Sequence, residues 1–190
     1  MFTRPSKPKS YVNMETLDLA EDRRLRLIIY GSALGGALIL ALIGHLLVPV
    51  TYLFAVAGIW AMIFRMVLIV LGIAAYCLLH EYVHSLFIKL MTGYWGKVVF
   101  SGWHAHCECS EYFTVKGYLL STFAPVVLLG LLLTLILVLV PEKLFWPVYI
   151  IQIINLAGSA GEYYVAYKLL KRKQNVLIID EEDWLTIWSE

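Results

Sequence analysis

The chain has 190 residues, of which 61% are hydrophobic and 15% charged, and a formal net charge of +1. That is too apolar for an ordinary water-soluble domain and points to a polytopic membrane protein, and the near-neutral charge gives no bulk attraction for nucleic acid. The three cysteines, Cys77, Cys107 and Cys109, form no paired framework of the secreted kind.

Residues 1–26 read as a polar N-terminal tail with Pro5 and Pro8 and no cleavable signal-peptide pattern. Residues 14–26 are expected to form a short helix leading into the first apolar stretch. Four stretches are long enough to cross a bilayer, which takes about 20 residues: about 27–48, 63–91, 118–140 and 145–170. The first is rich in Gly and Ala, which allows close helix packing. The expected fold class is an all-α membrane protein, a bundle of four transmembrane helices with a short cytoplasmic β-hairpin-like segment. Residues 27–173 form the membrane-embedded core. Residues 174–190 form a C-terminal tail, with an apolar patch (176–179), an acidic run (180–183), and Trp184 and Trp188. This tail is either a small amphipathic element or partly ordered.

Basic residues orient the spans. Arg23, Arg24 and Arg26 precede the first span; Lys89 and Lys97 follow the second; Lys116 precedes the third; Lys168, Lys171, Arg172 and Lys173 follow the fourth. The positive-inside rule then puts both termini and the 92–117 segment in the cytoplasm of a multi-pass cell-membrane protein. Arg65 is the exception: it either snorkels to the outer interface or pairs within the bundle.

Span two carries His80-Glu81-Tyr82-Val83-His84, an H-E-x-x-H pattern. One helical turn apart on one face, His80 and His84 can hold a single metal ion. Glu81 lies beside them, placed as general base for a water on that metal. In hydrocarbon, two imidazoles and a carboxylate within five residues are costly and need a reason. Cys77, one turn before His80, is taken as a packing residue.

Catalytic zinc takes three protein ligands and leaves one position open. Counting back from Lys89 at the inner interface, His84 and His80 lie roughly 8 and 13 Å deep, at 1.5 Å per residue. Span four runs in the same direction, and Glu162, its sole ionisable interior residue, lies about 9 Å above Lys168. Glu162 is therefore level with the histidines. It follows a small-residue stretch in which Gly158 and Gly161 allow close approach or local unwinding. Asn155, two turns above it, is a candidate for substrate binding or for supporting a ligand. In span three, Pro125 frees the carbonyl one turn earlier, near Ser121, at similar depth.

Between spans two and three, residues 98–106 are expected to form a strand or hairpin, whose edge could receive an extended substrate. The run His104-Ala105-His106-Cys107-Glu108-Cys109 has the density of a soft-metal site, but alternate strand residues face opposite sides. His104 and His106 are alternative third ligands or weak candidates for contacting substrate.

The layout resembles small membrane proteins classed as putative zincin peptidases, distantly similar to the site-2 proteases. The residues that carry it are His80-Glu81-x-x-His84, a Cys-and-Glu segment leading through Tyr118 to Ala124-Pro125, and Asn155-x-x-Gly158-Ser159-x-Gly161-Glu162. They span about residues 75–167. The resemblance implies that His80 and His84 ligate zinc, that Glu81 is the catalytic base, and that the acid on the last span is the third ligand. The family pattern carries Asp there, whereas this chain has Glu162, one methylene longer.

The expected function is a zinc-dependent, membrane-embedded endopeptidase with one Zn2+. It would cleave a membrane protein or peptide substrate near the cytoplasmic face of the lipid bilayer. The alternative is a non-catalytic metal-binding membrane protein, a sensor, chaperone or inactive relative, for which Glu81 is not required. A transporter is the weakest reading, since four spans leave little room for alternating access.

Overall fold

The computed structural model describes residues 2–18, 21–54, 58–101, 104–172, 175–180 and 184–190, and of residues 100, 101, 104 and 105 it describes the backbone alone. Lys173 and the acidic residues 181–183 lie outside the described residues. Four helical segments are long and apolar enough to cross a membrane: Arg23–Leu47, Ile59–Thr92, Val115–Leu139 and Glu142–Leu170. Each matches an expected span to within a few residues at either end.

Helix α1 (Arg23–Leu47) starts where Asp22 accepts hydrogen bonds from the backbone N–H groups of Arg24 and Leu25, at 2.8 and 3.1 Å. It stops just before Pro49. A single turn, α2 (Thr51–Phe54), follows, and its last carbonyls are taken by buried Arg65 of α3 (Ile59–Thr92), which donates to Tyr52 O and Leu53 O. Arg65 therefore pairs inside the bundle rather than snorkelling. Helix α3 runs unbroken for 34 residues and ends at Gly93, whose φ of +87° forms a left-handed cap. Helix α4 (Val115–Leu139) contains Pro125.

The fourth span is two helices, α5 (Phe145–Gly158) and α6 (Ala160–Leu170), entered through a 3-10 turn at Glu142–Leu144. They meet at Ser159, whose hydroxyl donates to Asn155 O at 3.1 Å. The break falls in the small-residue stretch 156–161, where unwinding costs little side-chain packing. Helix α5 lies close against α4: a Cβ on Gly130 would come within 2.9 Å of the Asn155 side-chain amide. The outward faces of α1 and α3 stay apolar and exposed, as lipid-facing surfaces require.

The all-α expectation is corrected by a second layer. Strands β3 (Lys97–Ser101) and β4 (His104–Glu108) form the expected antiparallel hairpin. The tails add a five-stranded antiparallel sheet of β1 (Thr3–Arg4), β2 (Val12–Asp18), β5 (Tyr112–Thr114), β6 (Val176–Asp180) and β7 (Trp184–Ser189), in the order β1-β5-β6-β7-β2. Residues 14–18, expected as helix, belong to β2 instead. There Leu17 faces inward and pairs in register with Leu185, and the helix waits for the Asp22 cap. The C-terminal tail is likewise two ordered strands, in which Ile178 pairs with Ile187 and both are fully buried.

One face of the sheet packs on the end of the bundle that carries the basic residues. Leu17, Phe113, Ile178 and Ile187 join Leu25 and Ile29 of α1, Ile88 of α3, Tyr118 of α4 and Leu169 of α6 in one core. Glu15 of β2 is bound by both Lys168 and Arg172 at the end of α6. Truncation at the centre of this core, Ile187→Ala, should destabilise the protein by about 2–4 kcal/mol. Unfolding in detergent, with faster amide exchange over residues 12–18, is the check; unchanged exchange there would mean that β2 does not depend on β7.

Candidate metal centre

Regular α geometry across residues 80–84 sets both imidazoles on the face of α3 that meets α4 and α6. Glu162 is in the first turn of α6, where the break at Ser159 starts a new helix and its positive end favours a carboxylate. The three side chains converge. His80 Nε2 and His84 Nε2 are 3.1 Å apart, and they lie 3.1 and 3.3 Å from Glu162 Oε1. All three are largely shielded, with His80, His84 and Glu162 side chains 12%, 15% and 23% exposed.

The outer nitrogens fix the state of both rings. His84 Nδ1 lies 3.0 Å from the Ser121 carbonyl, which can only accept, so Nδ1 carries the hydrogen. This is the carbonyl that Pro125 leaves without a helical N–H partner. His80 Nδ1 lies 3.0 Å from the Tyr76 hydroxyl. That hydroxyl donates its hydrogen to Asn155 Oδ1 at 3.1 Å, and the Asn155 amide is oriented by donating to Val126 O at 3.1 Å. The Tyr76 oxygen therefore accepts from His80 Nδ1–H. With both outer nitrogens protonated, neutral rings turn two Nε2 lone pairs toward each other and toward a carboxylate oxygen.

Three acceptors so close repel unless a cation sits among them. A tetrahedral zinc ion with bonds of about 2.0–2.1 Å needs ligand atoms about 3.3 Å apart, close to the separations found. Glu162 Oε2 is also buried without a hydrogen-bond partner, and a cation or an incoming donor would satisfy it. The donor set therefore fits a divalent metal. Among the described residues, His80, His84 and Glu162 are the one group of three ligands near enough to share an ion.

A cavity of about 180 Å3 opens beside this cluster. Glu81, His84 and Glu162 form one side, and Tyr118, Ser121 and Thr122 of α4 line another. His106, Cys107 and Cys109 close it from the hairpin side, and Asp180 enters from β6. Burial pushes the Cys107 thiol up to about 12, with the Glu81 charge adding to it, and raises Cys109 too. Burial thus favours the neutral thiol at both positions. Asp180 is pushed up to about 6 by burial, against the pull of the Tyr118 hydroxyl, which donates to its Oδ2 at 3.1 Å.

Each sequence candidate has a definite place. His80, His84 and Glu162 come together, and Glu81 faces the same cavity. Asn155 is fully buried and holds Tyr76 rather than facing the cavity. His106 lines the cavity and contacts Glu108 at 3.2 Å, apart from the three-ligand group. His104 lies in β4 by its backbone, and its side chain is outside the described residues. Cys77 is exposed on the apolar surface, away from the cavity.

Two participants escaped the sequence reading. Tyr76 had a signal: a metal-bound histidine needs a partner for its other nitrogen, and a phenol one turn away in an apolar helix supplies it. Asp180 had none, because only strand pairing brings it to α4. Tyr76→Phe and Asn155→Ala should each weaken zinc binding about 10- to 100-fold, as loss of such supporting partners does. Competition with a chromophoric chelator would measure it, and unchanged affinity would show that His80 needs no such support.

The family described as "Putative zincin peptidase" matches residues 72–177, more than half of the chain and the segment that holds all three converging side chains. No curated protein and no solved structure matches. The chain belongs to the Putative zincin peptidase family.

Proposed function

We propose that the protein is a zinc-dependent endopeptidase working in a multi-pass membrane setting, with its basic end and both termini in the cytoplasm. The reading is carried by one observation: two imidazoles with committed outer N–H groups and a carboxylate turn their lone pairs on one point beside a glutamate-lined cavity. Family membership supports the same chemistry.

His80, His84 and Glu162 would hold the zinc ion, which when bound lowers the pKa of a water to about 7 and polarises the scissile carbonyl. Glu81, in the same cavity, accepts a proton from the attacking water as its oxygen bonds to the carbonyl carbon. The same carboxyl group returns that proton to the amide nitrogen as the C–N bond breaks, leaving a new carboxylic acid, which keeps the water's second proton until it ionises, and a free amine. Ser121, through its carbonyl, and Tyr76, through its hydroxyl, keep both rings in the tautomer this requires.

The substrate is an extended or locally unwound segment, since a helix hides its peptide bonds. Its approach lies at the basic end of the bundle, where the hairpin flanks the cavity. The reading includes a distant likeness to site-2 proteases, supported by His80-Glu81-x-x-His84 and by the Asn and Gly residues that precede Glu162.

Glu81→Gln should retain zinc and abolish cleavage of co-expressed single-span proteins, and 1,10-phenanthroline should stop the wild type. Full activity in purified Glu81→Gln protein would sink the mechanism. Zinc bound with no chelator-sensitive cleavage would favour a non-catalytic metal-binding protein. Glu162→Ala should lower zinc occupancy by elemental analysis. Unchanged occupancy would transfer the third position to His104 or His106.

A further inference from the structure

The polar cavity has a neighbour. Tyr118, Glu162 and Asp180 line both it and a second cavity of about 240 Å3, so these three side chains form the junction wall that the two share. Beyond the junction the chemistry changes. The second chamber is walled by Leu17 of β2, Leu25 and Ile29 of α1, Val165 of α6, and Leu185 of β7. Leu17, Leu25, Ile29 and Leu185 belong to the packed core between sheet and bundle, so they are held in place by neighbours. Gly161 keeps space open beside Glu162: a Cβ there would meet only Ile29 Cγ2, at 3.8 Å.

The chamber is too large for an ordinary packing defect. An apolar cavity of about 150 Å3 stays dry and accepts a benzene ring. An apolar chamber opening onto a few convergent polar groups is also the usual form of a binding pocket. A peptide lying across the polar cavity would carry its backbone past Glu162 and Asp180, and an adjacent side chain would find apolar space beyond them. Burial of that side chain supplies binding energy that the polar cavity cannot.

Resting on the peptidase reading, we propose that this chamber is a substrate side-chain pocket, which takes a leucine- or phenylalanine-sized residue next to the scissile bond. Five of its eleven lining residues come from α1, β2 and β7, outside the family-matched residues 72–177. The preference is thus set in part by segments of this chain that surround the matched core.

The test uses two probes that chelate zinc and differ in side chain, phenylalanine hydroxamate and glycine hydroxamate. Each is titrated calorimetrically into the zinc-loaded full chain in detergent. The phenylalanine probe should bind at least about tenfold tighter, given what even one methylene contributes in an apolar pocket. Val165→Phe should bring the ratio close to one, and Gly161→Ala, the milder change, should reduce it. Equal binding of the two probes by the wild type overturns the pocket. So does a ratio unmoved in either variant that still holds zinc. If neither probe binds protein shown to contain zinc, the open coordination position fails, and the pocket fails with it; if the ratio alone is absent, the metal reading stands and only the pocket is lost.

Discussion

Two imidazole nitrogens and a carboxylate oxygen meet within 3.3 Å, with no hydrogen of their own to place between them. The constraint comes from behind. The Ser121 carbonyl and the Tyr76 hydroxyl hold the hydrogens of His84 and His80 on the far side of each ring. A proton could bridge one imidazole to Glu162, yet the second Nε2 would still face a filled lone pair. A divalent cation relieves all three contacts at once, at separations that suit it. A merely structural knot would leave the polar cost of this cluster inside apolar helices unrelieved, and that cost is the physical argument for a cation there.

Three departures from regular helix supply that geometry. Pro125 removes a hydrogen from the α4 ladder and so releases the carbonyl that His84 uses. The break at Ser159 ends α5 after Asn155 and begins α6 before Glu162, so the supporting amide and the candidate ligand sit on separately aimed helices. Gly130 lets Asn155 close against α4 and reach Val126 O. Helix α3, which carries both histidines, has no break, because i and i+4 on a straight helix already give their spacing. Irregular backbone thus occurs where it feeds the polar cluster, which is where apolar surroundings tolerate it.

The parts readable from sequence are those set by local rules. Span length and apolarity located the four long helices. Matching depths paired Glu162 with His80 and His84 across about 80 residues without any contact being known, and the missing N–H of Pro125 pointed to the Ser121 carbonyl. The five-stranded sheet was hidden for a physical reason. Its pairings join Leu17 to Leu185 and Thr3 to Phe113, and short strands acquire their stability from partners rather than from propensity. The stretch around Glu15–Leu19, with leucines two apart and charges nearby, satisfies a helix or an edge strand equally until β7 lies beside it. Asp180 is invisible for the same reason.

The sheet in turn reaches the candidate metal centre through α4. The carbonyl of Phe2, just before β1, accepts hydrogen bonds from Thr114 N and Oγ1 at 2.9 and 3.0 Å. Thr114 is the N-cap of α4, its hydroxyl also accepting from Gly117 N at 3.3 Å. One turn on, Tyr118 is clamped by Asp180 from β6, and less than one turn beyond it lies the carbonyl that orients His84. Strands this short would not persist alone in water; they persist by packing on the bundle, and the bundle's α4 begins where they hold it. The tails and the candidate metal centre are therefore one structural unit. Loosening β1 or β6 would free the first turns of α4, and with them the only protein partner that His84 Nδ1 has among the described residues.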